Sequence, residues 1–281
     1  MQKRALAIHD ISCVGRCSIT VALPILSAAG INTSVIPTAL LSTHTGGFTN
    51  FTYLDLADQL LPIARHIATL GLHFDAFYSG YLASAEQVNL LLQIIDMLCD
   101  SQTQLFVDPA FADQGKLYSR MSEAMPAQMR SLCARAHTIM PNFTEASFLL
   151  DKPYISQGYD EAYVQSVAAE LAALGPQSVV ITDIHIRPGK TGIAVYRKAD
   201  KRFHLFYREE FQDIFYGTGD VFASFLIACM LNDMELEQAA RTALDCTHQS
   251  IRLTLQGGEP LRYGVRFEQV LPQLIKAIKK K

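Results

Sequence analysis

The sequence predicts an α/β fold, one domain over residues 1–281 built on a mostly parallel sheet with helices on both faces. Three observations predict it. Short, β-rich apolar runs alternate along the chain with longer segments of helical spacing, the pattern of successive βαβ units. Of the 281 residues 49% are hydrophobic and 18% charged, which suits one sizeable core and argues against disorder. No repeat, low-complexity stretch or linker interrupts the alternation.

Residues 5–9 read as the first strand and 16–29 as a helix ending before Gly30. Residues 34–39 are β-rich, and 54–70 carry helical spacing that stops at Gly71. Residues 76–79 are a short buried strand, and Ser84 is an N-cap for a helix over 85–99, since its hydroxyl can accept from a free first-turn N–H. A strand over 105–107 runs into Asp108-Pro109, and one over 138–140 runs into Pro141-Asn142. A helix over 161–174 closes at Gly175-Pro176, and 178–182 is a strand. Residues 192–197 and 203–207 alternate around a polar turn and predict a hairpin. Helices over 220–231, 235–255 and 267–276 complete the chain. Parallel sheets place ligands at the carboxyl ends of their strands, where Asp108, Asn142 and Thr182 fall.

Composition excludes several classes. The net charge is -3, and the one basic run is Lys279, Lys280 and Lys281, read as a solvated tail, so nucleic acid is not an expected partner. The most apolar segment, 221–231, is well short of the ~20 residues that span a bilayer and reads as a buried helix, so no membrane partner is expected. The N-terminus has no secretory apolar run. The six cysteines form no C-x-x-C pair and read as reduced thiols of a cytoplasmic protein.

Two motifs are decoys. Gly189-Lys190-Thr191 resembles the end of a phosphate-binding loop, but position 184 is Ile184 rather than glycine and a strand follows. Gly217-x-Gly219 resembles a dinucleotide fingerprint, but the third glycine position is Phe222.

The segment 216–222 is the most informative. Gly217 and Gly219 free the backbone of side chains just before a long apolar helix. The first N–H groups of a helix have no helical partners and carry partial positive charge, so Gly217, Thr218 and Gly219 can form an anion hole. Asp220 follows in the first turn, where a carboxylate can take a proton from an attacking alcohol. The same residues also suit an ordinary N-capping turn.

This segment resembles the signature of the ribokinase superfamily, and within it the chain is similar to pyridoxal kinases over nearly its whole length. Ser12-Cys13-Val14-Gly15 looks like the family's first substrate loop, and 41–46, with His44 and Thr45, is similar to the stretch after its second strand. Ser79-Gly80-Tyr81-Leu82 followed by 84–87, Asp108-Pro109 with Asp113, Pro141-Asn142-x-x-Glu145 and the strand ending in Thr182 match in the family's order.

The resemblance implies a ribokinase-like three-layer α/β/α sandwich with no large separate lid domain. It implies ATP-dependent phosphorylation of the hydroxymethyl group of a B6 vitamer, whether pyridoxal, pyridoxine or pyridoxamine. Asp220 would be the general base, and Gly217, Thr218 and Gly219 would stabilise the transferring phosphoryl group. Ser12, His44, Thr45 and Tyr81 would bind the vitamer. Asp108, Asn142, Glu145 and Thr182 would bind ATP, with Asp108, Asn142 and Glu145 holding Mg²⁺ largely through water. K⁺ as a further cofactor and a homodimer are also implied. The remaining histidines carry no motif and receive no role.

Arg16-Cys17, Ala112, Met140 and 183–185 depart from the family's pattern, and Ala112, where a glycine is usual, predicts a different backbone in its loop. A hydroxymethylpyrimidine kinase of the same superfamily is the rival enzyme, though such enzymes commonly carry cysteine where this chain has Asp220. A non-catalytic vitamer-binding protein is the rival of another class, which a degenerate anion hole or a missing base would mark.

Overall fold

The computed structural model describes residues 2–279; Lys280 and Lys281 of the basic run lie outside the described residues. The chain begins with β1 (Arg4–Val14), α1 (Ile19–Ala28), β2 (Asn32–Thr43), β3 (Tyr53–Asp55) and α2 (Ala57–Thr69). Then come β4 (Ala76–Ser79), α3 (Ala85–Leu98), β5 (Gln104–Val107) and a small hairpin of β6 (Ala112–Asp113) and β7 (Lys116–Leu117). After α4 (Met125–Cys133), β8 (Thr138–Ile139) and α5 (Phe143–Leu149) lie α6 (Glu161–Ala173), β9 (Ser178–Ile184), β10 (Lys190–Arg197) and β11 (Arg202–Glu209). The last helices are α7 (Thr218–Leu231), α8 (Leu236–Gly257) and α9 (Leu271–Lys279).

Nine strands form one sheet in the order β11-β10-β9-β8-β5-β4-β1-β2-β3. The interior pairs from β9 to β2 are parallel; β3, β10 and β11 pair antiparallel at the edges. Side chains alternate across the pleat, so each interior strand feeds two cores. Ala76 and Tyr78 of β4 pack under α1, α7 and α8, while Phe77 faces the opposite layer of α2 to α6. This is the predicted three-layer α/β/α arrangement of the ribokinase-like fold, with a mostly parallel central sheet.

Most elements stand where the sequence placed them, and the differences have local causes. Residues 16–18 form a loop rather than the first turn of α1, because Ser18 sits at φ 59, outside helical space. The helix read from 54 begins at Ala57, since Leu54 pairs with Leu40 as an edge strand. Residues 267–270 form a 3-10 turn ahead of α9. Ser84 caps α3 by accepting from the Gln87 N–H. Lys190 opens strand β10 rather than a helix, so the phosphate-loop decoy has no helix N-terminus to offer. Ala112 lies in β6, and the left-handed residue of its loop is Ala110, at φ 42. Among the described residues no helix is long and apolar enough to cross a membrane.

Candidate active site

Because β1, β4, β5, β8 and β9 run parallel, their carboxyl ends open on one side of the sheet. Ser12 lies near the end of β1, and Gly80-Tyr81 follows β4. Asp108 follows β5, while Asn142, just past β8, forms a parallel bridge with Thr182 of β9.

The N-terminus of α7 meets this edge. Gly217 is its N-cap in the left-handed region, at φ 71, and no side chain caps the helix. A side chain at Gly217 would be strained, and it would also overlap the Arg16 carbonyl and crowd Cys17 Sγ. A Cβ on Gly219 would meet nothing within 4 Å, so no protein atom explains that glycine and the space before it is open. The N–H groups of Gly217, Thr218 and Gly219 lie among the helix's unpartnered first donors, where an anion is favoured.

Asp220 is the third residue of α7, and both of its oxygens are held. Oδ1 lies 3.0 Å from His9 Nε2, and Oδ2 accepts the Ser18 backbone N–H at 2.8 Å. Its side chain is 13% exposed, so a substrate hydroxyl can reach it. His9 is buried, with Nδ1 3.0 Å from Asp10 Oδ1. Burial opposes a charge on that ring, but hydrogen bonds and attraction from Asp10 and Asp220 outweigh it and raise the imidazole to about 10. Ser12 Oγ donates to Asp10 Oδ2 at 3.2 Å.

His44 donates from Nε2 to the Arg262 carbonyl at 2.7 Å, which leaves Nδ1 as an acceptor. Burial lowers its pKa and keeps the ring neutral at pH 7. Phe48 and Tyr216 pack on the ring with centroids 5.0 and 5.4 Å away, and Thr45 follows in the same half-buried turn. Tyr81 is half-buried, and burial pushes its phenol up.

Asp108, after β5, and Glu145, in α5, are both buried. Burial, then repulsion from Asp220, pushes the Asp108 carboxyl up to about 7; burial, then repulsion from Asp108, pushes Glu145 up to about 8. Glu145 Oε1 accepts the Phe111 and Ala112 N–H groups at 2.8 and 3.3 Å, and Oε2 accepts the Asn142 N–H at 2.9 Å. Asn142 returns the bond to the Glu145 N–H, completing a capping box on α5, and its amide donates to the Ala112 carbonyl. Of a carboxylate's roughly four acceptor sites, Glu145 keeps about one for anything else. That fits contact with a cation through water only.

The sequence had singled out neither His9 nor Asp10. The signal was a polar pair inside an apolar first strand; its meaning depended on Asp220, 211 residues away. The structure brings Ser12 and Asp220 together through these two residues, and sets Asp108, Asn142 and Thr182 along the neighbouring strand ends with Glu145 in the first turn of α5.

A family model described as phosphomethylpyrimidine kinase matches residues 21–263. The chain belongs to this family. A Bacteroides thetaiotaomicron protein provisionally named phosphomethylpyrimidine kinase, solved with pyridoxal, is 34% identical with a TM-score of 0.92, covering 98% of this chain and 96% of that one. Pyridoxal kinase from Lactobacillus plantarum is 27% identical with a TM-score of 0.90, covering 100% and 99%. The pyridoxine/pyridoxal/pyridoxamine kinase of Bordetella avium (strain 197N) is 28% identical over 261 residues, 85% of this chain and 84% of that protein. The resemblance to pyridoxal kinases drawn from the motifs is borne out by these relatives.

Proposed function

We propose that this protein transfers the γ-phosphoryl group of ATP to the 5′-hydroxymethyl group of a B6 vitamer. The observation that carries the reading is Asp220, held at both oxygens beside the free N–H groups of α7. The kinship with a family member solved with pyridoxal supports the choice of alcohol.

The vitamer's hydroxyl lies against Asp220, and the γ-phosphate against Gly217, Thr218 and Gly219. The hydroxyl oxygen forms a bond to the γ-phosphorus as the bond to the β,γ-bridging oxygen breaks. The hydroxyl proton passes to Asp220 and ADP leaves with the bridging oxygen. Backbone N–H groups fixed by the helix need no reorganisation as charge shifts, which is where electrostatic catalysis gains most. Ser12, His44, Thr45 and Tyr81 bind the vitamer, and Asn142 and Thr182 border the nucleotide. Asp108 and Glu145 would hold Mg²⁺ through water, and the ion would supply neutralisation of phosphate charge. K⁺ is a candidate second cation. Exposed Val14, Leu40 and Leu54, which line one concavity at the β1–β3 end of the sheet, support a homodimer, and the reduced thiols fit a cytoplasmic setting.

The test is ADP release with Mg-ATP and pyridoxal, pyridoxine, pyridoxamine or hydroxymethylpyrimidine, the ester being identified by mass. Turnover of a vitamer is the expected result. Turnover of the pyrimidine alone would move the protein to the rival substrate with the role of Asp220 intact. Binding of vitamers without turnover would make it a binder.

A further inference from the structure

We propose that His9 is the positioning residue of this transfer: doubly protonated, it ties Asp220 to Asp10 and holds the Asp220 carboxylate in the orientation from which it receives the alcohol proton. The proposal rests on the kinase reading above. Its geometry is a buried chain running Ser12 Oγ, Asp10, His9, Asp220, with links of 3.2, 3.0 and 3.0 Å. Ser12, Asp10 and His9 are at most 3% exposed.

The protonation state follows from the partners. The Asp10 backbone N–H lies 3.1 Å from His9 Nδ1, so a neutral ring could accept it there. That tautomer would set the Nδ1 lone pair 3.0 Å from Asp10 Oδ1, lone pair against carboxylate. A proton on each ring nitrogen satisfies both carboxylates instead, and leaves one positive charge between two negative ones. The groups facing the ring all favour this. Asp10 and Ser12 come from β1, Asp220 from α7 and Asp108 from the end of β5, while Cys17 and Tyr78 are held as neutral thiol and phenol by burial. The fold also reserves the space, because a Cβ on Gly80 would overlap the imidazole, and Tyr78 meets its edge at 80° with centroids 6.0 Å apart. Since Ser18 N–H holds the other oxygen, Asp220 is fixed in rotation with lone pairs left for the substrate.

Two measurements test this on the full-length protein. The first is ¹⁵N NMR of the histidine rings, with His9→Gln supplying the assignment. The expected result is a His9 ring carrying protons on both nitrogens at pH 8; a neutral ring there would overturn the proposal. The second is steady-state kinetics. His9→Asn keeps an amide near Asp10 but reaches no farther, and Gly80→Ala displaces the ring. Each should lower kcat on the order of 10–100-fold, as loss of an orienting outer partner does, with KM for vitamer and ATP within about threefold. His9→Gln restores a neutral donor toward Asp220 and should recover part of kcat, while the acid limb of the pH–rate profile stays displaced to higher pH. His9→Asn combined with Asp10→Asn should be no worse than the first alone, because both break one unit. A wild-type kcat and pH profile in His9→Asn, or a loss confined to KM, would refute the role. If the variants fail to fold, or if the wild type phosphorylates none of the four alcohols, the ring-nitrogen measurement decides the ion pair by itself. In the last case it is the kinase reading that falls.

Discussion

Asp220 accepts from His9 and from the Ser18 backbone before any substrate arrives, so its side chain has little rotational freedom left. Asp220→Asn preserves the shape and its amide oxygen can still accept the Ser18 N–H, yet it cannot take a proton. It should fold, bind Mg-ATP and lose roughly 10²–10⁴-fold in kcat; a variant within a few-fold of wild type would remove Asp220 from the chemistry. Asp108 makes a different prediction. Its carboxyl is raised from 3.8 to about 7, and Glu145 from 4.5 to about 8, so the folded state holds protons that the unfolded chain releases between those values. The sign follows: below the unfolded values both states are protonated and nothing is lost, and stability falls as pH rises from about 4 toward 8. Asp108→Asn removes that conflict. Without metal it should raise Tm by a few degrees at pH 8 and by less at pH 5, measured by thermal denaturation. An equal shift at both pH values would show that the carboxylate is not strained by its surroundings.

At the scale of elements, the start of α7 does two jobs through two glycines, one residue apart, that are glycine for different reasons. Gly217 must turn left-handed against the Arg16 carbonyl, whereas Gly219 faces open space. Gly217→Ala should therefore destabilise the protein by about 1–2 kcal/mol from the left-handed penalty alone, with more from the overlap, and displace the helix start. Gly219→Ala should leave Tm unchanged or slightly higher, since it trims unfolded-state entropy, but should lower turnover by crowding the phosphoryl group. Denaturation and ADP release on the two variants separate the roles; equal losses of stability would contradict the assignment. The edge strand β3 illustrates how an element escapes a linear reading. The apolar spacing of Leu54, Leu60 and Ala64 continues into α2, and only pairing with Leu40 and Leu41 turns 53–55 extended.

Across the whole molecule, the parallel strands carry residues from 9 to 182 to the edge that the start of α7 meets, while exposed apolar side chains lie near the β3 end of the sheet. Leu54 is 56% exposed and Val14 49%, and both line one concavity with Leu40, the register partner of Leu54. If a second copy covers this concavity, wild type should sediment as a dimer, and Leu54→Glu as a monomer at micromolar concentration, with the fold intact by circular dichroism. A wild-type monomer would leave the concavity without that role.

The layers and the free N–H groups at the start of α7 were legible in the sequence, because both are local. Alternating strand and helix patterns select parallel βαβ units, and two glycines before an apolar helix leave N–H groups free wherever that helix lies. Asp108, Asn142 and Thr182 were legible for the same reason, as residues at strand ends, and Glu145 through the Pro141-Asn142-x-x-Glu145 motif. Tertiary structure alone decided what His9 and Asp10 are for. In sequence they are a polar interruption of an apolar strand; only closure of the sheet against α7 sets that imidazole between two carboxylates and excludes the water that would otherwise screen them. It likewise decided that Glu145 caps a helix and braces the Phe111–Ala112 loop at once, because a carboxylate's partners are chosen by the backbone that folding brings to it.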